Sequence, residues 1–302
     1  AAEDGSFQYY QFSPGTSWDY MAFNLANPQN PQAAYDEDGN LIEQDPHPIF
    51  GDLRVRQAIN MAVNVDDIIS GAVFGYGARM QSVYAPGSWP YAEDVPFYDF
   101  DPEAAAAMLE EAGWVDNDND PSTPRVAQGA MYAEDGTEMT FTLFTNQGNT
   151  RRTAIGTVIQ DQLSQIGIQV DFQTIDFNVL LDVLDQQTYD AFILGWRNSY
   201  PFRADQRQLW ASTSDVIAGD NFTSYINPEL DDLWVQASTV PGCDIEARRE
   251  IYGQIQQIMH EDTPYLFLYS INGMYAWNSK LQGVEPYPGA FYWNISEWTV
   301  TQ

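Results

Sequence analysis

Hydrophobic and polar positions follow two alternating periods through the middle of the chain. Met139–Thr145 (MTFTLFT) alternates at period two in β-rich residues, which predicts a strand. Thr150–Ile166 sets Ile155, Val158, Ile159, Leu163 and Ile166 on one helical stripe, with Gly167 as the stop. Ile168–Thr174 predicts the next strand, and Phe177–Gln187 a second helix through Leu180, Leu181 and Leu184. Asp190–Trp196 (DAFILGW) is apolar almost throughout, as a strand buried on both faces should be. Strand–helix–strand–helix–strand at this spacing requires right-handed crossovers and a parallel sheet. The predicted fold class is α/β, a mixed but mainly parallel sheet flanked by helices.

The flanks are more helical. Leu53–Ser70 carries Val55, Ala58, Ile59, Ala62, Val63 and Ile69 at the spacing of one helix. Asp101-Pro102 supplies an N-cap and a first-turn proline, and Gly113 closes the helix they open. Asn227-Pro228 repeats the device before Glu229–Ala237, and Asp244 starts Ile245–His260. Tyr265–Tyr269 and Met274–Trp277 predict strands of a sheet near the C-terminus. Gln29–Pro48 and Val115–Gly136 read as loops, and neither a repeat nor a linker of domain-boundary length interrupts the chain.

Composition narrows the function classes. The chain has 302 residues, 43 Asp plus Glu against 12 Lys plus Arg, and a formal net charge of −31. That balance repels nucleic acid and anionic membranes, so neither is the default partner. Hydrophobic residues at 44 % and aromatics at 14 % exclude a disordered acidic tail. The length allows one large or two ordinary domains. Lys280 is the only lysine, which fits a high-salt surface or an ordinary extracellular one. Cys243 is the only cysteine, so no intrachain disulfide exists, and no apolar run approaches the roughly 18 residues of a membrane span.

Chemistry is sparse. His47 lies in a proline-rich loop and His260 near a helix end, where the C-terminal dipole favours a cation; both read as structural. No nucleophile elbow, P-loop, dinucleotide fingerprint, HExxH or paired CxxC occurs, and no cofactor or metal is called for. A carboxylate pair for glycoside hydrolysis stays open, because abundant acids make spacing uninformative. The DNDND run at Asp116–Asp120 resembles half a calcium loop. Pro121 stands where such a loop needs Gly, however, and Ala127 holds the twelfth position, so a solvated turn is the simpler reading. Aromatics are the richer signal. Trp18, Tyr20, Trp196, Tyr200 and Tyr269 fall at strand ends or in connections, with the flat faces and polar tips that suit peptides or sugars. Trp196 stands out because open α/β sheets bind ligands beyond their carboxyl strand ends.

Several segments, in order, resemble one family. Phe23-Asn24 and Phe50-Gly51-Asp52-Leu53-Arg54-Val55-Arg56-Gln57-Ala58-Ile59 are similar to the signature of family 5 extracellular solute-binding proteins, the ligand receptors of ABC importers. Tyr98–Pro102 with Ala112-Gly113-Trp114 continues the order, as do Ile166-Gly167-Ile168, Tyr189-Asp190, Gly195-Trp196 and Tyr200-Pro201. Asn227-Pro228-Glu229, Arg248, Tyr252 and Pro264 complete it.

The resemblance implies the type II periplasmic-binding-protein fold, two lobes closing on ligand without catalysis, and a monomer that docks on permease subunits. It covers the C-terminal part of such receptors. The expectation is therefore one lobe: residues 1–25 as hinge-crossing strands, 26–269 as the C-terminal ligand-binding lobe, and 270–302 as the return crossing towards an N-terminal lobe. Location outside the cell, tethered to the membrane through that N-terminal part, is implied likewise. Peptide receptors of the family use the Trp of the GW pair and an acid three residues later, which anchors the peptide's ammonium. Trp196 matches, but Ser199 holds the anchor position, and an uncharged hydroxyl cannot balance a buried ammonium. Phe177 and Leu184 also replace pocket residues of some relatives, while Asp19 is a candidate substitute charge. The implied ligand-binding set is Trp196, Ser199, Tyr200, Phe177, Trp18, Tyr20, Asp19 and Tyr269. A di- or oligopeptide is the first ligand expected and an oligosaccharide the alternative; a secreted glycoside hydrolase is the alternative of another class.

Overall fold

Period-two alternation decides where the core sits. In the computed structural model, which describes residues 5–36, 38–199, 202–216 and 219–301, the central strand sends Trp18, Tyr20 and Ala22 to one face. Met21 and Phe23 go to the other. Strands β1 (Phe7–Phe12) and β2 (Ser17–Phe23) lead into helices α1 (Leu53–Ala62) and α2 (Val65–Val73) and strand β3 (Gly77–Arg79). Then come α3 (Pro102–Glu111), the short strands β4 (Trp114–Val115) and β5 (Val126–Ala127), and β6 (Thr140–Asn146). The α/β segment continues with α4 (Thr150–Ser164), β7 (Gln169–Ile175), α5 (Phe177–Asp185) and β8 (Ala191–Arg197). Helices α6 (Arg207–Trp210), α7 (Pro228–Thr239) and α8 (Ile245–Asp262) precede β9 (Tyr265–Ile271), β10 (Gly273–Asn278), β11 (Leu281–Gln282) and β12 (Thr299–Val300).

Six strands form one sheet in the order β3-β9-β2-β8-β6-β7. The β6–β7 and β6–β8 pairs are parallel, as the strand–helix alternation predicts. Antiparallel pairs join β8 to β2, β2 to β9 and β9 to β3. The sheet is thus mixed, with fewer parallel neighbours than expected, because β2 and β9 come from the ends of the chain and need no crossover helix. An aliphatic core containing Val55, Ile59, Ile155, Ile159 and Leu163 fills the face under α1–α4. An aromatic core with Trp18, Tyr20, Trp210, Trp234 and Tyr252 fills the face under α7 and α8. Each large ring there removes about 150–250 Å² from water, so this face holds much of the folding free energy.

Three local expectations change. Leu53–Ser70 is two helices: Val63 is extended, and the Asn64 side chain accepts from the amides of Asp66 and Asp67 to cap a new start. Met274–Trp277 does not join the main sheet but pairs with β1 as a separate antiparallel ribbon. The 1–25 segment divides accordingly. Its first strand lies in that ribbon, and Ser17–Phe23 is a central strand of the six-stranded sheet.

Candidate ligand-binding site

Parallel strands β6, β7 and β8 end on one edge of the sheet, and the chain past β8 opens into cavities there. One of about 270 Å³ is lined by Trp196, Arg197, Ser199, Arg203, Leu209 and Asp220, among others. A second, about 470 Å³, shares Ser199 and reaches Phe12 at the end of the β1 strand. A third, about 790 Å³, shares Arg203 and Asp205 with the first and lies between Trp89, Cys243 and Arg248. Tyr200 falls outside the described residues.

Trp196 is half-buried at the end of β8. Its ring is parallel to Tyr20 (6.2 Å, 14°) and to Phe222 (6.2 Å, 2°), so the aromatic core holds it in place while part of it borders the smallest of the three cavities. The preceding glycine is required: a Cβ at Gly195 would lie 2.6 Å from both Asp19 Oδ1 and the Trp18 carbonyl. Ser199 is exposed on the cavity rim. Asp220 enters the same cavity, where its carboxylate accepts from Gln208 Nε2.

The other implied ligand residues lie elsewhere. Trp18 and Tyr20 are fully buried, and Tyr20 stacks on Tyr265 with centroids 4.1 Å apart at 1°. Burial raises the Tyr20 hydroxyl well above its ordinary pKa. Asp19 alternates with these rings and so points through the opposite face, under α4. There it accepts from Arg151 Nε (2.7 Å), Arg151 Nη2 (3.1 Å), Arg152 Nε (3.3 Å) and the Tyr269 hydroxyl (3.2 Å). With 1 % exposure and two guanidiniums on it, Asp19 neutralises the start of α4 rather than facing the Trp196 cavity. Tyr269 is buried beside it, and burial pushes its hydroxyl up. Phe177 is half-exposed at the first turn of α5, past the end of β7. It shares the carboxyl edge with Trp196 but lies two strands, about 10 Å, away.

Sequence reading missed Arg197, Arg203 and Asp220. The two arginines are close to Trp196 in sequence, but nothing in the sequence shows whether a charge is paired. Both histidines are structural in their contacts. His47 Nδ1 accepts from the amides of Ile49 and Phe50, and its Nε2 lies 3.2 Å from Asp190. Burial lowers the His260 pKa, outweighing a backbone hydrogen bond with Gln81 and the Glu261 charge, which raise it. The Asp116–Asp120 oxygens accept from their own turn, Asp116 from the amides of Asp118 and Asn119 and Asp120 from Ser122.

The chain belongs to the bacterial extracellular solute-binding proteins, family 5 Middle, which it matches over residues 1–217. It is 33 % identical over 259 residues to the oligopeptide-binding protein AppA of Bacillus subtilis, spanning 84 % of this chain and 45 % of that one. To the dipeptide-binding protein of Escherichia coli it is 28 % identical over 229 residues, 72 % of this chain and 37 % of that one. The structure of AppA from Bacillus subtilis in complex with a nonapeptide superposes with a TM-score of 0.77 at 29 % identity, over 99 % of this chain and 53 % of that one. NikZ from Campylobacter jejuni, in complex with Ni(L-His), superposes with a TM-score of 0.75 at 21 % identity, over 98 % and 54 %, which speaks to the fold alone. The chain thus spans about half the length of the relatives it matches.

Proposed function

We propose that the chain is one lobe of a non-catalytic peptide receptor that serves an ABC importer outside the cytoplasm. One observation carries the reading: a half-buried tryptophan at the carboxyl end of a parallel strand borders a cavity that also holds a carboxylate, Asp220. Trp196 offers a flat apolar contact fixed by its neighbours. Asp220 supplies the acid that position 199 lacks, since Asp19 is turned to the other face of the sheet. A second lobe closing over this edge would exclude water and strengthen both contacts. Permease subunits, a monomeric state and a membrane tether follow from the same reading of the family. The acid in the cavity favours peptide over oligosaccharide, because sugars present no cation to it.

The test uses the protein expressed from its complete reading frame, with thermal shifts against panels of short peptides and oligosaccharides. A peptide at one hundred times its Kd should stabilise by about 2.7 kcal/mol. Trp196→Ala should weaken that peptide at least tenfold, about 1.4 kcal/mol. Asp220→Asn should weaken peptides with a free amino end and leave their N-acetylated forms unaffected. Stabilisation by oligosaccharides alone would replace the peptide reading. No stabilisation by either panel, or full affinity in Trp196→Ala, would overturn the site.

A further inference from the structure

Arginines are scarce in this chain, and nearly all are engaged. The 12 basic residues include one lysine, Lys280, leaving eleven arginines against 43 acids. Six are ion-paired: Arg54, Arg125, Arg151, Arg152, Arg207 and Arg249. Arg56 and Arg79 donate to carbonyls, and Arg248 donates to the Tyr252 hydroxyl while lying 5.3 Å over the Trp89 ring. The side chains of Arg197 and Arg203 alone among the eleven show no hydrogen bond or ion pair among the described residues. Both are exposed, and both line the cavity of Trp196.

In a protein of net charge −31, an exposed guanidinium has carboxylates in abundance to pair with. Two such guanidiniums line one cavity of about 270 Å³, which favours an anion there. The acids that face them do not remove this excess. Asp205 is taken by Arg207, whose Nε and Nη2 donate to it at 3.0 and 2.7 Å. Asp220 remains, held by Gln208. Among the described residues the cavity therefore offers two unpaired cations and one carboxylate, Asp220, that no cation neutralises. A ligand that complements it carries an ammonium group and at least one carboxylate close by. The volume lies below the roughly 300 Å³ at which pockets begin to hold a whole small molecule, so it suits one end of a longer ligand.

Resting on the peptide reading above, we propose that Arg197 and Arg203 form an anion-recognising subsite that selects peptides with an acidic side chain near the amino end. A guanidinium meets a carboxylate through two parallel N–H···O bonds, giving geometric selection as well as charge. The amino end lies towards Asp220 and the neighbouring side chain extends along Trp196 to the arginines.

The experiment measures affinities of matched tripeptides, Glu-Ala-Ala against Gln-Ala-Ala, by titration calorimetry on the protein from its complete reading frame. The acidic peptide should bind about tenfold more tightly at low ionic strength, with the ratio shrinking as salt rises. The double variant R197Q/R203Q should bring the ratio close to one, and R197K/R203K should restore part of it. An unchanged melting temperature of each unliganded variant checks folding. Equal affinity for the two peptides in the natural sequence would overturn the acidic selection and leave the peptide reading standing. A ratio that survives in R197Q/R203Q would overturn the assignment of that selection to these two arginines. Binding of neither peptide, nor of any other in the panel, would overturn the peptide reading and this selection with it.

Discussion

Asp19→Ala is expected to cost about 3 kcal/mol of folding stability, read as a shift in the denaturation midpoint at unchanged slope. The carboxylate lies between three strands and a helix start, 1 % exposed, and accepts from two arginines and a tyrosine. Removing it leaves Arg152, 14 % exposed, beside the positive end of α4 with Asn146 Oδ1 (2.8 Å) as its one side-chain acceptor among the described residues. It also leaves the Tyr269 hydroxyl without its acceptor. Breaking a buried pair costs about 3–5 kcal/mol; the lower end applies because Arg151 is one-third exposed and keeps part of its hydration. Asp19→Asn, which preserves an acceptor but not the charge, should lose less. In an R151Q/R152Q background the cost of Asp19→Ala should shrink by at least 1 kcal/mol, the signature of a shared interaction. A cost below 1 kcal/mol in the natural background would refute the assignment. If Asp19 instead anchored ligand, the same variant would lose affinity with its melting temperature intact.

The fate of Asp19 shows where sequence reading stops. Strands somewhere within residues 1–25 were implied by the family resemblance, and the GW pair that ends β8 was legible. Which face each residue takes follows from period two, yet which face carries the cavity depends on what packs above and below. Trp18, Tyr20 and Tyr269 had the right chemistry and sat at strand ends, but α7 and α8 or α4 cover them. The parallel segment from Met139 to Trp196 was readable because every helix and strand in it is amphipathic or continuously apolar, so local pattern and tertiary role agree. The antiparallel half was not, because β2 pairs with β9 across some 240 residues and no local signal encodes that contact. The break at Asn64 was missed for a related reason. The apolar stripe runs through it, and only the capping side chain marks the end of one helix and the start of the next. In the cavity, Trp196 was visible through position and family likeness. Arg197, Arg203 and Asp220 acquire meaning only once the pairing of every other arginine is known.

The second large effect is a pH dependence centred on Asp215, whose side chain is fully buried with no cation paired to it among the described residues. Its Oδ1 accepts from Gln187 Nε2 (2.5 Å) and Ser224 Oγ (3.3 Å), and Oδ2 has no partner among the described residues. Burial is the dominant influence and pushes the carboxyl from its ordinary 3.8 to about 7, against the lowering effect of the two hydrogen bonds. Below pH 3.8 the group is protonated in folded and unfolded chains alike and contributes no pH slope. Between there and pH 7 the unfolded carboxyl gives up its proton while the folded one keeps it, so stability falls as pH rises. At about 1.4 kcal/mol per unit, the loss reaches up to about 4 kcal/mol and levels off above pH 7. Mutual repulsion among the 43 acids also weakens the fold as pH rises, so the natural protein alone cannot separate the two. Asp215→Asn separates them. The amide keeps an acceptor for Gln187 and Ser224, is neutral at every pH, and puts an NH₂ where Oδ2 has no partner. That last change costs about 1–3 kcal/mol at all pH values. The two stability curves, from urea titrations between pH 4 and 8, should therefore diverge by up to about 4 kcal/mol in favour of the variant as pH rises, whatever their constant offset. Parallel curves would mean that Asp215 ionises as freely in the folded chain as in the unfolded one, and that water reaches a carboxylate the packing encloses.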